Sequence, residues 1–445
     1  MDFQAFKEAV IAECAAKGIT EYELYYQAAE STSISAFQHG LNSFTSSVEG
    51  GVCFRCIVGG KMGYASTEEL SAQQAAAVVA KAADNASVLE AEEQVFLNEG
   101  GQVYETVDRK PYDLPATDAL IAKVLDTQEK LYAADPAVID GCQTQGISER
   151  STMAIYNSKG LDLSCENNLS GFVVVAVVSN GQEMANDFHI KLGQVDAIDT
   201  DTLTKKAAAG ALRKLGGDVA PTGSYPVVFD PDAMSDLLGV YSAIFSSENA
   251  QKGLSRMADK EGQIVAAPIV TLVDDPFHKD SPMPRPFDAE GSPTHCKNVI
   301  ENGVLNTLLY NLKTAAVAGK KTTGNASKAG YDSPVGIRPF TMYLAPGEHT
   351  EDELLQMAGN GVYINSLGGL HAGADPISGD FSLQSAGFLI ENGKKTTAVK
   401  SFTVAGNFYE LLKNIAAVGS NLELSGMASF GAPSVLVNGL SVAGK

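Results

Sequence analysis

The chain has 445 residues, 44% of them hydrophobic and 19% charged, an ordinary globular balance that is long enough for roughly three domains. Its 53 acidic against 32 basic side chains leave a net charge of −21, a field that repels phosphate and anionic lipid and argues against nucleic acid or a membrane surface as direct partner. The opening "MDFQAFKEAVIAECAAKG" has no apolar signal-peptide core, and the longest strongly apolar run, "FVVVAVV" at 172–178, is far short of a membrane span, so a soluble, cytoplasmic protein is expected.

In chain order, residues 1–97 alternate short strand-like runs ("YELYYQA", "TSISAFQ", "GVCFRCIVGG", "KMGYAS") with turns. A helix then opens at Ser71 and Gln74 in capping-box spacing and carries Ala75, Val78, Val79 and Ala82. A strand meander with packed helices is an α+β signature rather than an alternating βαβ one. Within it Cys53 and Cys56 form a CxxC, but residues three apart on a strand point to opposite faces and no second CxxC completes a four-thiolate site. Two ordinary buried cysteines are expected, and the 6 cysteines of the chain form no evident disulfide framework.

Residues 98–117 mix acid, Gly and Pro without periodicity and read as a linker. A middle α+β segment, 118–221, opens with a helix near 118–133, continues through strands joined by turns at Asn157–Gly160 and Asn180–Gly181, and closes on the helix "DTLTKKAAAGALRKLGG". The remainder, 222–445, reads as a domain built on a curved, mainly antiparallel sheet, because "VIENGVLNTLLYN" and "LIENGKKTTAVKS" repeat one hairpin pattern around Asn302-Gly303 and Asn392-Gly393.

A helix opens that last domain at Asp230-Pro231, a cap followed by the residue favoured at the first helical position. Met234, Leu237, Leu238, Tyr241, Ile244 and Phe245 form one apolar stripe, and the same spacing carried onward lands on Glu248, a carboxylate on the face expected to be buried.

Familiar catalytic motifs are missing: no His is followed by Glu, no GxSxG elbow or SxxK pair occurs, and "GKKTTGNASKAG" (319–330) fails phosphate-loop spacing and reads as a flexible polar connection. Two stretches remain. "VDDPFHKDSPMPRPFDAEGSP" gathers Asp274, Asp275, Asp280, Asp288 and Glu290, oxygen enough for a hard cation, although Asp beside Pro and Gly also simply makes turns. "GGLHAGADPISGDFSLQSAGFLIENG" holds His371 and Asp375 and then Gly379, Asp380, Phe381 and Ser382 at a strand entrance, where Gly lets another backbone approach and a peptide strand could add.

"GVCFRCIVGGKMGYAS", "VDDP" through "FDAEGSPTHCKNVIENGVL", and "GLHAGADPISGDFSLQSAGFLIENGK" resemble signature blocks of the TldD/PmbA family, metalloprotease-related proteins also described as modulators of DNA gyrase. The last block resembles the PmbA branch, also called TldE, and the resemblance covers nearly the whole chain. In the TldD branch it implies a helix carrying HExxxH, two histidines on zinc with the glutamate as general base, and a third ligand from a cysteine near the C-terminus. Laid on that pattern, Ser247 stands where the first histidine would be, Glu248 on the glutamate and Lys252 where the second histidine would be, and no cysteine follows Cys296.

Ser and a lysine ammonium do not replace two neutral imidazoles at zinc. The resemblance therefore implies a PmbA/TldE-type subunit with no cofactor of its own, paired with a zinc-bearing TldD-like subunit in a heterodimer, or forming a homodimer, and acting on peptide or unfolded protein substrates. Lys252, four residues after Glu248, would supply the positive charge that metal gives in the sister branch. The gyrase description fits a chain of −21 poorly as a direct DNA ligand. Two rivals are a self-sufficient metal-dependent peptidase with ligands drawn from His295, Cys296, His371 or the 274–290 carboxylates, and a non-catalytic peptide-binding protein.

Overall fold

Long two-sided strands build the first layer. A computed structural model describes residues 1–90, 95–107, 112–425 and 428–445. β1 (Tyr22–Phe37), β2 (Gly40–Val58), β3 (Lys61–Thr67), β4 (Gln143–Asn157), β5 (Asp162–Ser179) and β6 (Met184–Leu192) form one antiparallel sheet in the order β3-β2-β1-β4-β5-β6. Strands before and after the 98–117 stretch thus share one sheet, and residues 108–111 of that stretch lie outside the described residues.

Alternation along the strands sends one set of side chains to a helical layer. α1 (Phe3–Lys17) and α2 (Ala72–Val88) cover one end through Phe6, Val10, Val78 and Val79 against Leu24, Phe54 and Cys56. α3 (Thr117–Ala133) and α4 (Thr200–Arg213) cover the other through Leu120, Val124, Leu203 and Ala207 against Ile34, Phe172 and Val174. The Ser71 hydroxyl caps α2 by accepting the Gln74 N–H. On the opposite face Tyr25, Cys53, Met153, Ile155 and Leu161 pack against Phe287, Ala289 and Ala326 of the C-terminal part, so Cys53 and Cys56 do face opposite ways.

The C-terminal sheet curves until it closes. β7 (Gly223–Phe229) and the strands Gly361–Gly368, Asp380–Glu391, Lys394–Asn407 and Val435–Ala443 form a barrel, completed where Thr403, Val404 and Ala405 pair with Ala443, Val442 and Ser441. The pairing of β7 with Gly361–Gly368 is parallel and the others are antiparallel. α5 (Pro231–Tyr241) packs its stripe into the core shared by this barrel and a smaller sheet containing Leu272–Asp274, Lys297–Glu301 and Met342–Leu344.

Both Asn-Gly turns adopt the positive φ pair their hairpins need, at 49° and 83° for Asn302-Gly303 and 50° and 75° for Asn392-Gly393. They belong to different sheets, however. The first hairpin sits in the small sheet and the second in the barrel, so the repeated pattern does not make one curved sheet. The 319–330 stretch also departs from expectation: Asn325 is fully buried and donates to Asp274 and to the Arg338 carbonyl, which makes this polar segment a fixed part of the interior.

Candidate functional site

The apolar stripe of α5 ends where a helical wheel says it should not. Asp230 caps the helix by accepting the Ala233 N–H at 2.8 Å, and Met234, Leu237, Leu238, Tyr241, Ile244 and Phe245 are all buried. After Tyr241 the chain tightens into a 3-10 turn, Ser242–Phe245, and Ser246 then leaves helical space with ψ 122° before a second short helix, α6 (Ser247–Gln251), begins. The break resets the wheel, so Glu248 does not continue the buried stripe. Ser247 is buried instead, its N–H donating to the Leu309 carbonyl at 3.0 Å and its hydroxyl to Thr314 Oγ1 at 2.8 Å. Glu248 turns to a rim with its side chain 36% exposed, and Lys252, 61% exposed, reaches Glu248 Oε1 at 2.6 Å.

That rim borders a cavity of about 430 Å³ between the N-terminal sheet and the C-terminal part. Arg55, Met62 and Tyr64 enter it from β2 and β3, Val95 and Phe96 from the segment after α2, and Glu290, Asn311, Lys313 and Val335 join Glu248 from the C-terminal side. Arg55 is buried and held by Glu23, Nε at 2.8 Å and Nη2 at 2.7 Å from Oε1, while Asn157 donates to Glu23 Oε2 at 3.3 Å. Burial opposes the Arg55 charge, but Glu23 and then Glu290 more than offset it and hold the guanidinium protonated.

Glu290 is part of this wall and Asp288 lies next to it. Asp288 Oδ1 accepts the Glu290 and Ser292 N–H groups at 2.9 Å each, and Oδ2 accepts the Ala326 N–H at 2.9 Å. Glu290 Oε2 accepts the Leu312 N–H at 2.8 Å. Burial pushes both carboxyls up, with the neighbouring Glu290 adding to the shift of Asp288 and Arg55 countering that of Glu290. Asp274 is buried with Lys297 at 3.1 Å and accepts from Asn325 at 2.7 Å and the Phe340 N–H at 2.7 Å. Asp275 accepts the Phe277 N–H at 2.9 Å, and Asp280 is exposed.

At Asp274, Asp288 and Glu290, hydrogen bonds of the acidic stretch run to other parts of the chain. Its buried oxygens are spent on protein donors, and among the described residues no group of three or more His, Cys, Asp or Glu side chains is placed to hold a metal ion. His295 and Cys296 stand exposed in the chain just before Lys297.

The second candidate stretch is closed as well. His371 is exposed on the short helix Leu370–Gly373, and Gly379 takes φ +82° with its α-carbon against the Tyr409 ring. Phe381 is buried in the barrel core, Ser382 points to solvent, and Asp380 accepts from Asn407 Nδ2 at 2.8 Å through Oδ1 and from Tyr241 at 2.7 Å through its carbonyl. Strand Asp380–Glu391 pairs with Lys394–Asn407 on one side, and on the other with Gly361–Gly368 and, at Phe381, with Ala374. Among the described residues, Asp380–Ser382 pair with Asn407–Ala405 on one side and Phe381 with Ala374 on the other, and neither Gly379 nor these residues line the cavity beside Glu248.

Three family models match the chain in order: PmbA/TldA metallopeptidase domain 1 at residues 22–86, the central domain at 110–215 and the C-terminal domain at 222–444. The chain belongs to the PmbA/TldD family. Among family relatives, a metalloprotease of Methanothermobacter thermautotrophicus is 30% identical over 71% of this chain and 69% of its own length. Metalloprotease PmbA of Escherichia coli O157:H7 is 26% identical over 63% and 59%. A crystal structure from Thermotoga maritima, described as a proposed modulator of a DNA gyrase, superposes with a TM-score of 0.90 at 30% identity over 99% of this chain and 100% of that one. TldE from Thermococcus kodakarensis shares the fold with a TM-score of 0.88 at 22% identity over 99% and 100%.

Within this PmbA/TldD fold, sequence reading passed over Glu23, Arg55 and Asn98. Asn98 pins the two halves together, donating to the Glu290 carbonyl at 3.1 Å and to Ser292 Oγ at 3.0 Å while its own carbonyl accepts from Asn157 at 2.9 Å. A signal for Arg55 was present: it is the lone charge in the apolar run "GVCFRCIV", and a charge inside a buried strand demands a partner.

Proposed function

We propose that this chain is the PmbA/TldE-type subunit of a two-chain proteolytic system. A TldD-like partner holds the zinc, and this chain helps to enclose peptide or unfolded protein substrates without hydrolysing them alone. The observation that carries the reading is the rim at Glu248. In a zinc peptidase the glutamate serves a metal-bound water whose pKa is about 7 rather than about 15.7. Here the group 2.6 Å from the Glu248 carboxylate is the Lys252 ammonium, which repels a cation and offers no lone pair to it. Ser247, at the other motif position, is buried in a hydroxyl pair with Thr314. Glu248 is left a base with no acidified water to serve.

The cavity supports a binding role beside that loss. Its volume of about 430 Å³ is in the range of small-ligand sites, and it sets apolar Met62, Phe96 and Val335 next to charged Arg55, Lys313 and Glu248. A peptide side chain or terminus offers both kinds of group. Action in the cytoplasm, where peptide and unfolded substrates arise, belongs to the same reading.

The test is cleavage of an unfolded protein by this chain alone, by a TldD-like chain carrying HExxxH alone, and by the two mixed, each with and without chelator. Chelator-sensitive cleavage that needs both chains is the expected result. The same cleavage by this chain alone would overturn the reading.

A further inference from the structure

Cys53 has a neighbour that a merely buried thiol does not need. It lies within β2, opposite Tyr25 of β1 and Ser66 of β3, so the Tyr25 and Cys53 side chains stand side by side on the face turned toward the C-terminal part. Lys328 arrives from that part with its ammonium 4.9 Å from the centre of the Tyr25 ring, and it shares a side-chain hydrogen bond with the Cys53 thiol. Glu23, the acid that faces the same recess, is already held by Arg55, and among the described residues Lys328 forms no ion pair.

Both side chains hang from fixed backbone. Just before Lys328, Asn325 donates to Asp274, the Ala326 N–H donates to Asp288, and Ala326–Ser327 pair with Gly336–Ile337. Cys53 and Lys328 line a recess of about 10 Å³, room for about one water-sized molecule. The recess shares Arg55, Tyr64 and Val335 with the cavity beside Glu248, which gives a small oxidant in that cavity a short route to the thiol. Burial holds the Lys328 ammonium below the ordinary lysine value, with Arg55 adding to the effect, so the neutral amine is easier to form. Burial also pushes the Cys53 thiol up, and the amine beside it is the base that can take its proton.

We propose that Cys53 and Lys328 are a site of oxidative cross-linking, where a peroxide installs a nitrogen–sulfur bond between the N-terminal sheet and the C-terminal part. The amine takes the thiol proton as sulfur attacks the peroxide. The O–O bond breaks, the departing hydroxide recovers that proton as water, and Cys53 is left a sulfenic acid. The neutral Lys328 amine then attacks the sulfur; the N–S bond forms, the S–O bond breaks, and hydroxide leaves with a proton from the nitrogen as a second water. One thiol, one amine and one peroxide thus give the link and two waters, with sulfur oxidised and the peroxide oxygens reduced by two electrons. The link removes a positive charge beside Arg55 and ties together two segments that wall the recess. It forms independently of whether peptides enter the cavity beside Glu248.

The test uses the full chain carrying Cys296→Ser, which removes the exposed thiol. It is treated with hydrogen peroxide, digested without reductant and examined by mass spectrometry, and its melting is followed before and after treatment. A linked peptide holding Cys53 and Lys328, lighter by two hydrogens than its separate parts and released by dithiothreitol, is expected. The link closes a loop of more than half the chain, so the melting temperature should rise by several degrees and fall back on reduction, as for a disulfide. Adding Lys328→Arg keeps a cation over Tyr25 without an amine, and there the Cys53 peptide should gain oxygen and stay unlinked. Separate Cys53 and Lys328 peptides in the treated parent, whether Cys53 is oxidised or untouched, would overturn the proposal. So would the same rise in melting temperature in the Lys328→Arg protein.

Discussion

Glu23 meets Arg55 at 2.7 Å, Glu248 meets Lys252 at 2.6 Å, and Arg55 and Glu248 line the same cavity. Near-identical distances conceal opposite situations. The first pair is 2% and 7% exposed and is further enclosed by Asn157 and Glu290, whereas the second is 36% and 61% exposed on one side of a short helix. Water solvates the second pair whether or not it forms, whereas loss of Arg55 would leave the Glu23 carboxyl group, 2% exposed, buried without its guanidinium partner. What distinguishes scaffold from adaptable rim here is burial, not contact distance.

The largest expected effect breaks the buried pair. Arg55→Met removes the guanidinium that Glu23 accepts from in the interior and should cost about 3–5 kcal/mol in denaturant unfolding, with part regained when Glu23→Gln is added. A loss no greater than that of Lys252→Met would erase the contrast. Asp288→Asn comes next. It sets an amide group against three backbone N–H donors that now share one carboxylate, and should cost about 1–3 kcal/mol by the same measurement.

A pH series sharpens the comparison from the acid side. Asp288 and Glu290 are raised above ordinary carboxylate values, so between about pH 4 and the raised values the folded chain binds more protons than the unfolded one. Their contribution to stability is therefore greatest below that interval and falls as pH rises through it. Glu290→Gln removes one raised carboxyl and one cause of the upward shift of Asp288, which lies at about 7, so it should flatten the decline in melting temperature as pH rises toward about 7, and an unchanged slope would show that the pair holds no proton there. The smallest effect is expected at the exposed pair: Lys252→Met should change unfolding free energy by less than about 1 kcal/mol. A cost like that of Arg55→Met would place Lys252 in the scaffold.

Local pattern carried much of this structure into the sequence. Period-two runs marked the strands of the first sheet, Asn-Gly pairs marked two hairpins whose φ values are positive as such turns need, and Asp230-Pro231 marked the start of α5. What stayed hidden depends on residues far apart in the chain. Barrel closure rests on Thr403–Ala405 meeting Ser441–Ala443, and the Glu248 cavity on β2, the segment after α2 and the 290–335 region coming together. The break at Ser246 was hidden for a different reason. A helical wheel assumes a continuous helix, and a 3-10 turn followed by one extended residue resets the phase without any Gly or Pro to announce it. Clustered acids stayed ambiguous for a third reason: composition alone fits both a cation site and turns, and it does not show that backbone and side-chain donors of other segments reach the oxygens of Asp274 and Asp288.

The central claim concerns Glu248, flanked by Ser247 and Lys252 at the positions where the resemblance to the TldD branch would place histidines. Its most direct test is metal stoichiometry of the purified full chain after exposure to excess zinc and removal of the free ion. The account predicts far less than one zinc per chain, with the same result for Glu248→Gln. One tightly held zinc per chain in the unaltered protein, lost in Glu248→Gln, would contradict it.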